Sequence, residues 1–241
     1  MCVDCGCSAP AQVVVEPRQL ELGQALLARN DQLAAGLRQR FAAAGLPVLN
    51  LLSSPGSGKT ALLEQLGREL ACMGRRMAVI VGDLATDHDA RRLEAAGVRA
   101  VQITTGQACH LEAAMVERAL AALPEPLAAF DLLVIENVGN LVCPGAYDLG
   151  ESLRVVLVST TEGEDKPLKY APIFHGADLV LITKIDLAEA VGFDRAAAHA
   201  AIARVAPQAR VLETSARSGA GLDALIALLG LAPATVPALV P

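Results

Sequence analysis

Seven largely apolar runs, each six or seven residues long, punctuate the chain between residues 48 and 215: VLNLLS (48–53), MAVIVG (77–82), RAVQIT (99–104), FDLLVIE (130–136), LRVVLVS (153–159), DLVLIT (178–183) and RVLETS (210–215). None alternates strictly between apolar and polar residues, so none offers one dry and one wet face. Strands of this kind are buried on both sides. Helical spacing of apolar residues fills several of the intervals, at 59–73, 88–97, 108–123, 193–206 and 220–230. Such alternation dictates an α/β fold, a mostly parallel sheet between helix layers. Ligands of these folds bind beyond the carboxyl ends of the strands. The loops that follow each strand are therefore where chemistry is expected.

The flanks differ from this body. Residues 1–16 form a short arm with little periodicity, holding Cys2, Cys5 and Cys7, half of the six cysteines. Residues 17–46 form a helix, with Leu22, Leu26, Leu33, Leu37 and Phe41 at spacings of four and seven and Gly45 and Pro47 as its stop. Residues 47–232 make the main domain, and 233–241 an irregular tail. A net charge of −6 and an aromatic content of 2% argue against a nucleic-acid partner. The first residues lack a basic stretch followed by an apolar one, so no secretory signal is read. The uncharged end from Ala224 is broken by Gly230, Pro233 and Pro237 and gives no membrane span. A cytoplasmic chain is expected, with reduced thiols available for metal rather than for disulfides.

SSPGSGKT (53–60) follows the first strand and opens a helix. The phosphate-loop pattern has Gly at the position of Ser53, but Gly56, Ser57, Gly58, Lys59 and Thr60 complete it. Backbone N–H groups of such a loop cradle phosphate oxygens, Lys59 would contact the β- and γ-phosphates, and the Thr60 hydroxyl would ligate Mg²⁺. An ordinary glycine-rich turn requires neither the lysine nor the threonine. TKID (183–186) follows the sixth run and supplies Thr183, Lys184 and Asp186 for a base. A carboxylate at Asp186 accepts from guanine N1–H and the exocyclic amine, whereas adenine presents an acceptor at N1. Thr214, Ser215 and Ala216 close the next strand beside it, so GTP and GDP rather than ATP are expected. In IENVG (135–139), Glu136 would act through water on Mg²⁺ and the Gly139 amide on the γ-phosphate. Asp83, at the end of the second run, is the third catalytic candidate beside Lys59 and Glu136, as Mg²⁺ ligand or water-orienting group. Asp87 is read as a helix N-cap.

Cys109 and His110 stand at the start of the helix expected over 108–123, and Cys143 lies just past Gly139. Thiolate and imidazole together suit Ni²⁺ or Zn²⁺. Because Cys143 shares its loop with the γ-phosphate sensor, the nucleotide can move a metal ligand. Cys2, Cys5 and Cys7 offer three thiolates within one heptapeptide, with the α-amine as a fourth donor, a set that suits square-planar Ni²⁺ or tetrahedral Zn²⁺. Cys72 reads as a buried small hydrophobe, and His88, His175 and His199 have no evident partner.

With these residues assembled, the chain resembles the HypB family of hydrogenase maturation factors, the hydrogenase nickel-incorporation GTPases. CVDCGC, NLLSSPGSGKT, GDLATDHDA, GQACHLEA, IENVGNLVCP, TEGEDKPLKY, TKIDL and TSARSG carry the resemblance nearly end to end. It implies a P-loop NTPase fold of the SIMIBI class and a slow, switch-type GTPase that forms a homodimer with GTP. Its partners would be a HypA-type metallochaperone and the NiFe-hydrogenase large-subunit precursor, to which it delivers nickel. It also implies a tight nickel site at Cys2, Cys5 and Cys7, and a weaker Ni/Zn site at Cys109, His110 and Cys143 on the dimer interface. Ser53 matches the family's own phosphate loop. Thr183 stands where Asn is usual, and the four scattered histidines imply no storage tract. Leu187 and Val191 are candidates for a dimer patch, and Lys169 for a place near the active face. The competing readings are a non-catalytic nickel or zinc store that binds GTP structurally, and a urease-type nickel chaperone.

Overall fold

A computed structural model describes residues 17–233; the arm with Cys2, Cys5 and Cys7 and the tail from 234 onward lie outside the described residues. Each apolar run is a strand: β1 (Val48–Ser53), β2 (Met77–Asp83), β3 (Arg99–Thr104), β4 (Leu132–Glu136), β5 (Leu153–Ser159), β6 (Leu179–Thr183) and β7 (Arg210–Glu213). They form one sheet in the order β3-β2-β4-β1-β5-β6-β7, and every pairing is parallel. β1 sits at the centre with β4 and β5 on either side, so the loop after it opens where the strand order reverses. That is where a ligand crevice is expected in an open parallel sheet.

Helices cover both faces. On one, α2 (Lys59–Cys72), α3 (His88–Ala95) and α8 (Leu222–Leu228) pack Leu63, Leu66, Leu70, Leu93 and Ile226 against Leu51, Val79, Val134 and Leu181. On the other, α1 (Pro17–Ala43) and α4 (Ala113–Ala121) place Ala34, Leu37, Phe41 and Val116 over Val48, Ile80 and Ile135. Farther along that face, α6 (Ala171–His175) and α7 (Arg195–Val205) pack Phe174 and Ile202 on Leu52, Val156 and Ile182. Alternate residues of one strand thus serve opposite layers, which is why no run alternates with polar residues. Among the described residues no helix is long and apolar enough to cross a membrane.

Several expectations change. The helix expected from residue 108 begins only at Ala113, because the amides before it are spent elsewhere: Leu111 N–H donates to Asn137 Oδ1 at 3.1 Å, and Glu112 is extended. Cys109 and His110 therefore stand on a loop. Asp87 does not cap α3 with its side chain; it pairs with Arg91 at 2.7 Å. Cys72 is exposed at the end of α2. Of the α1 stripe, Leu37 and Phe41 are buried, whereas Leu26 is 64% exposed; Leu22 lies outside the residues whose side chains are described. TEGEDKPLKY contains the short helix α5 (Lys166–Lys169), where Lys169 pairs with Asp165 at 2.7 Å. His199 has a partner, its Nε2 lying 3.0 Å from Glu213 Oε1.

One glycine bears on both stability and site. Gly221 has φ +75°, and a Cβ on it would drive into the Glu213 carbonyl oxygen. Gly221→Ala is expected to lower stability by about 2–4 kcal/mol, measured as the midpoint of urea unfolding. The same push falls on the backbone at Thr214.

Candidate functional site

The phosphate loop turns through two left-handed glycines, Gly56 at φ +74° and Gly58 at φ +97°. Lys59, buried at the start of α2, donates from Nζ to Ser53 Oγ at 2.8 Å, and Ser57 Oγ donates to the same oxygen at 2.6 Å. Ser53, the departure from the general pattern, is thus the partner that holds the lysine inside its own loop. Thr60 Oγ1 donates to Glu136 Oε1 at 2.9 Å; Oε2 is buried with no hydrogen-bond partner among the described residues. Burial pushes the Glu136 carboxyl up to about 7, against the pull of the Lys59 ammonium and the Thr60 hydroxyl. Burial also lowers Lys59, opposed chiefly by the Glu136 charge.

A cavity of 380 Å³ opens here, lined by Gly56, Lys59, Thr60, Asp83, Glu136 and Gly139 among others. A Cβ on Gly139 would stand 3.0 Å from Pro55 Cα, so glycine lets this segment lie flush on the phosphate loop. Asp83 is partly spent on its own turn, its Oδ1 accepting from Ala85 N–H at 3.0 Å and Thr86 N–H at 2.7 Å. Burial works against its ionisation, yet those amides and the Thr86 hydroxyl hold the carboxyl below its usual value.

A second cavity of 320 Å³, sharing Gly58 and Ala61 with the first, is lined by Thr183, Lys184, Asp186, Thr214 and Ala216. Thr183 Oγ1 donates to the Ser57 carbonyl at 2.7 Å, and Lys184, at φ +56°, donates from Nζ to the Gly56 carbonyl at 2.7 Å. The motif after β6 is therefore bolted to the phosphate loop, and Thr183 performs the bolting. Asp186 Oδ1 accepts from Ser215 Oγ, which orients its carboxylate. A further hollow of 620 Å³ lies at the opposite ends of β2 and β3, where Arg76 and Arg99 both pair with Glu125.

Cys109, His110 and Cys143 meet on the phosphate side, their ligand atoms all within 4.8 Å of one another. The His110 ring stacks on Tyr147 at 3.9 Å and 19°, and its buried Nε2 has no hydrogen-bond partner among the described residues. Cys143, hydrogen-bonded to Cys109, pushes the Cys109 thiol up together with burial. Two sulfurs and an imidazole, with Glu112 Oε1 3.6 Å from the His110 Nε2, fit a borderline-soft divalent ion such as Ni²⁺ or Zn²⁺.

Residues 47–213 match the family model "CobW/HypB/UreG, nucleotide-binding domain". The chain is 52% identical over 221 residues to the hydrogenase maturation factor HypB of Azotobacter vinelandii, covering 91% of this chain and 71% of that one. The chain belongs to the HypB family of hydrogenase maturation factors. Its structure matches that of HypB from Helicobacter pylori in complex with nickel at TM-score 0.79 and 43% identity, over 83% of this chain and 93% of that one. FtsY from Mycoplasma mycoides, 17% identical at TM-score 0.53 over 70% of this chain and 60% of that one, shares the fold alone.

This HypB-family chain also holds polar residues that the motifs did not expose. Asn137, fully buried beside Glu136, accepts from Leu111 N–H and donates to Asn50 Oδ1 at 3.3 Å; Asn50 in turn donates to Glu151 Oε1 at 3.2 Å. Arg154 binds that same Glu151 oxygen and donates to the Gly145 carbonyl at 2.9 Å. Asn140 Nδ2 donates to the Cys109 carbonyl at 3.3 Å, while Asn140 bridges Ser53 of the phosphate loop. Asp89 and Arg92 of α3 line the phosphate cavity.

Proposed function

We propose that the protein binds and slowly hydrolyses GTP, and uses that cycle to load and release nickel for maturation of a NiFe-hydrogenase. One juxtaposition carries the reading: Glu136 and Gly139 face the phosphate cavity, and the same segment runs on to Cys143 of the metal cluster. A change of nucleotide that moves this segment changes the distance between Cys143 and the Cys109–His110 pair.

Asp186 would accept from the guanine edge, with Lys184 along the base. The amides of residues 56–60 would receive the β-phosphate, and Lys59 would exchange Ser53 Oγ for phosphate oxygens. The Thr60 hydroxyl, Glu136 with its unpartnered oxygen, and Asp83 would hold Mg²⁺. When bound, that ion neutralises charge on the β- and γ-phosphate oxygens. Glu136 already accepts a hydrogen bond from Thr60 Oγ1 at 2.9 Å and is buried, so it is placed to orient rather than to deprotonate. Catalysis is then mostly positioning and charge stabilisation, which suits a slow switch. Val142, 68% exposed beside Cys143, suits a dimer contact that would bring two such metal clusters together when GTP is bound. Cys2, Cys5 and Cys7 would grip nickel before handing it on. A HypA-type metallochaperone and the hydrogenase large-subunit precursor would be the exchange partners.

The test joins a nickel titration of the reduced protein to a phosphate-release assay. Thiolate-to-nickel absorbance should report one tight equivalent that is lost when Cys2, Cys5 and Cys7 become Ala, and a weaker one lost in Cys143→Ala. Turnover should respond to nickel in the parent and cease to respond in Cys143→Ala. No GTP turnover in either, with or without nickel, would leave a store that binds GTP only for structure, and turnover indifferent to metal in both would uncouple hydrolysis from nickel.

A further inference from the structure

The ligands of the metal cluster stand on two segments with little regular structure. Cys109 and His110 precede α4, and Cys143 opens a stretch running to Gly150. Both segments are tied from behind by one side chain of α1. Asn30 is 5% exposed; its Oδ1 accepts from Ala113 N–H at 2.9 Å and its Nδ2 donates to the Asp148 carbonyl at 2.7 Å. Asparagine is a poor residue for a helix interior, and a buried amide is costly unless both halves are bonded. Here both halves are bonded, each to a different ligand-bearing segment.

The contacts around it have the same effect. Asp148 follows Tyr147, whose ring stacks on His110. The Arg38 guanidinium holds the Asp148 carboxylate at 2.7 and 2.8 Å. Gly150, at φ +82°, lies so close to α1 that a Cβ would stand 2.8 Å from the Ala34 carbonyl oxygen. Ala113, the other partner, begins α4 just after the Cys109–His110 loop. One amide therefore fixes the gap across which the three ligands must converge.

We propose that Asn30 is a positioning residue of the Cys109–His110–Cys143 site, supplied by a helix that lies outside the 47–213 match to the nucleotide-binding domain. It holds the two ligand-bearing segments at binding distance before the ion arrives, and the nucleotide site does not depend on it. This rests on the reading above that the cluster holds metal. Affinity for a metal reflects how far its ligands are organised in advance, and outer groups that orient them are typically worth ~10–100-fold.

The test uses the full chain with Cys2, Cys5 and Cys7 changed to Ala, so that the inner site alone is read. Into it go Asn30→Ala, Asn30→Asp and, separately, Phe41→Leu, which loosens α1 while leaving both Asn30 bonds in place. Zn²⁺ and Ni²⁺ affinities are taken by competition with a chromophoric chelator, alongside the nickel–thiolate absorption band, GDP affinity and thermal melting. Both Asn30 variants should weaken metal binding ~10–100-fold and shift the nickel band, with GDP affinity within about twofold. Asp keeps the acceptor for Ala113 and loses the donor to Asp148, so weaker metal binding in it shows that the Ala113 bond alone does not suffice; being close in size and shape, it also covers an Ala variant that fails to fold. Phe41→Leu should lower the melting temperature while leaving metal affinity near the parent's. Asn30 variants that bind metal as tightly as the parent overturn the proposal, as does a Phe41→Leu variant that weakens it equally. A parent that binds no metal is a different result: it removes the metal reading and the proposal with it.

Discussion

Asp186→Asn should cut GTP affinity about 100-fold or more. Two bonds from guanine, N1–H and the exocyclic amine, would end on this carboxylate, and a hydrogen bond to a charged group is worth about 1.5–3 kcal/mol. An asparagine keeps one carbonyl oxygen, so one bond survives in neutral form and the other faces an N–H₂ donor. At about 1.4 kcal/mol per tenfold, losing one charged bond and weakening its neighbour gives roughly two orders of magnitude. The fold should be untouched, because Asp186 is exposed and its contact is a side-chain bond with Ser215. The same chemistry predicts a reversal of preference: xanthine carries a carbonyl where guanine carries the amine, so the new N–H₂ group has a partner. Competition of GTP and xanthosine triphosphate against a fluorescent guanine nucleotide reads both effects. Unchanged GTP binding would show that the 320 Å³ cavity is not the base pocket.

The features open to reading in the chain were those set by local pattern. Uninterrupted apolar runs such as MAVIVG gave buried parallel strands because both faces of the sheet are covered, and SSPGSGKT gave the phosphate loop because its chemistry is contained in eight consecutive residues. The start of α4 was misplaced because Leu111 N–H is taken by Asn137, 26 positions away, and no local propensity reports that. Asn50 is a sharper case. Within VLNLLS it reads as one polar residue in an apolar strand, but it is fully buried and bonded to Asn137 and Glu151 across separations of 87 and 101 residues. The polar scaffold beneath Cys109, His110 and Cys143 was illegible for that reason: its members include single asparagines that acquire meaning only when the sheet brings them together. Cys109, His110 and Cys143 were legible as donors because thiolate and imidazole side chains advertise their chemistry wherever they stand.

Lys59→Ala should lower GTP turnover about 1000-fold, more than any single change at the base pocket does. Removing one preorganised group that stabilises charge in the transition state costs about 10²–10³ in rate, and this lysine acts twice. Its ammonium would contact the phosphates, and it is held ready on Ser53 Oγ at 2.8 Å. It is also the largest influence opposing the burial that raises the Glu136 carboxyl. Without it, Glu136 is left closer to its protonated form, in which one oxygen carries a proton and is a poorer ligand. Losing the phosphate contact and weakening the carboxylate beside Thr60 together place the effect at the upper end of that range. Nucleotide affinity should fall far less than turnover, because the backbone amides of the loop and Asp186 remain. Single-turnover phosphate release at saturating GTP separates the two, and Lys59→Arg supplies the control: it restores the charge on a wider, flatter group that cannot reach Ser53 Oγ in the same way. Turnover within tenfold of the parent in Lys59→Ala would mean that Lys59 serves the fold, as a buried partner for Glu136, and that the rate enhancement comes from elsewhere in the cavity.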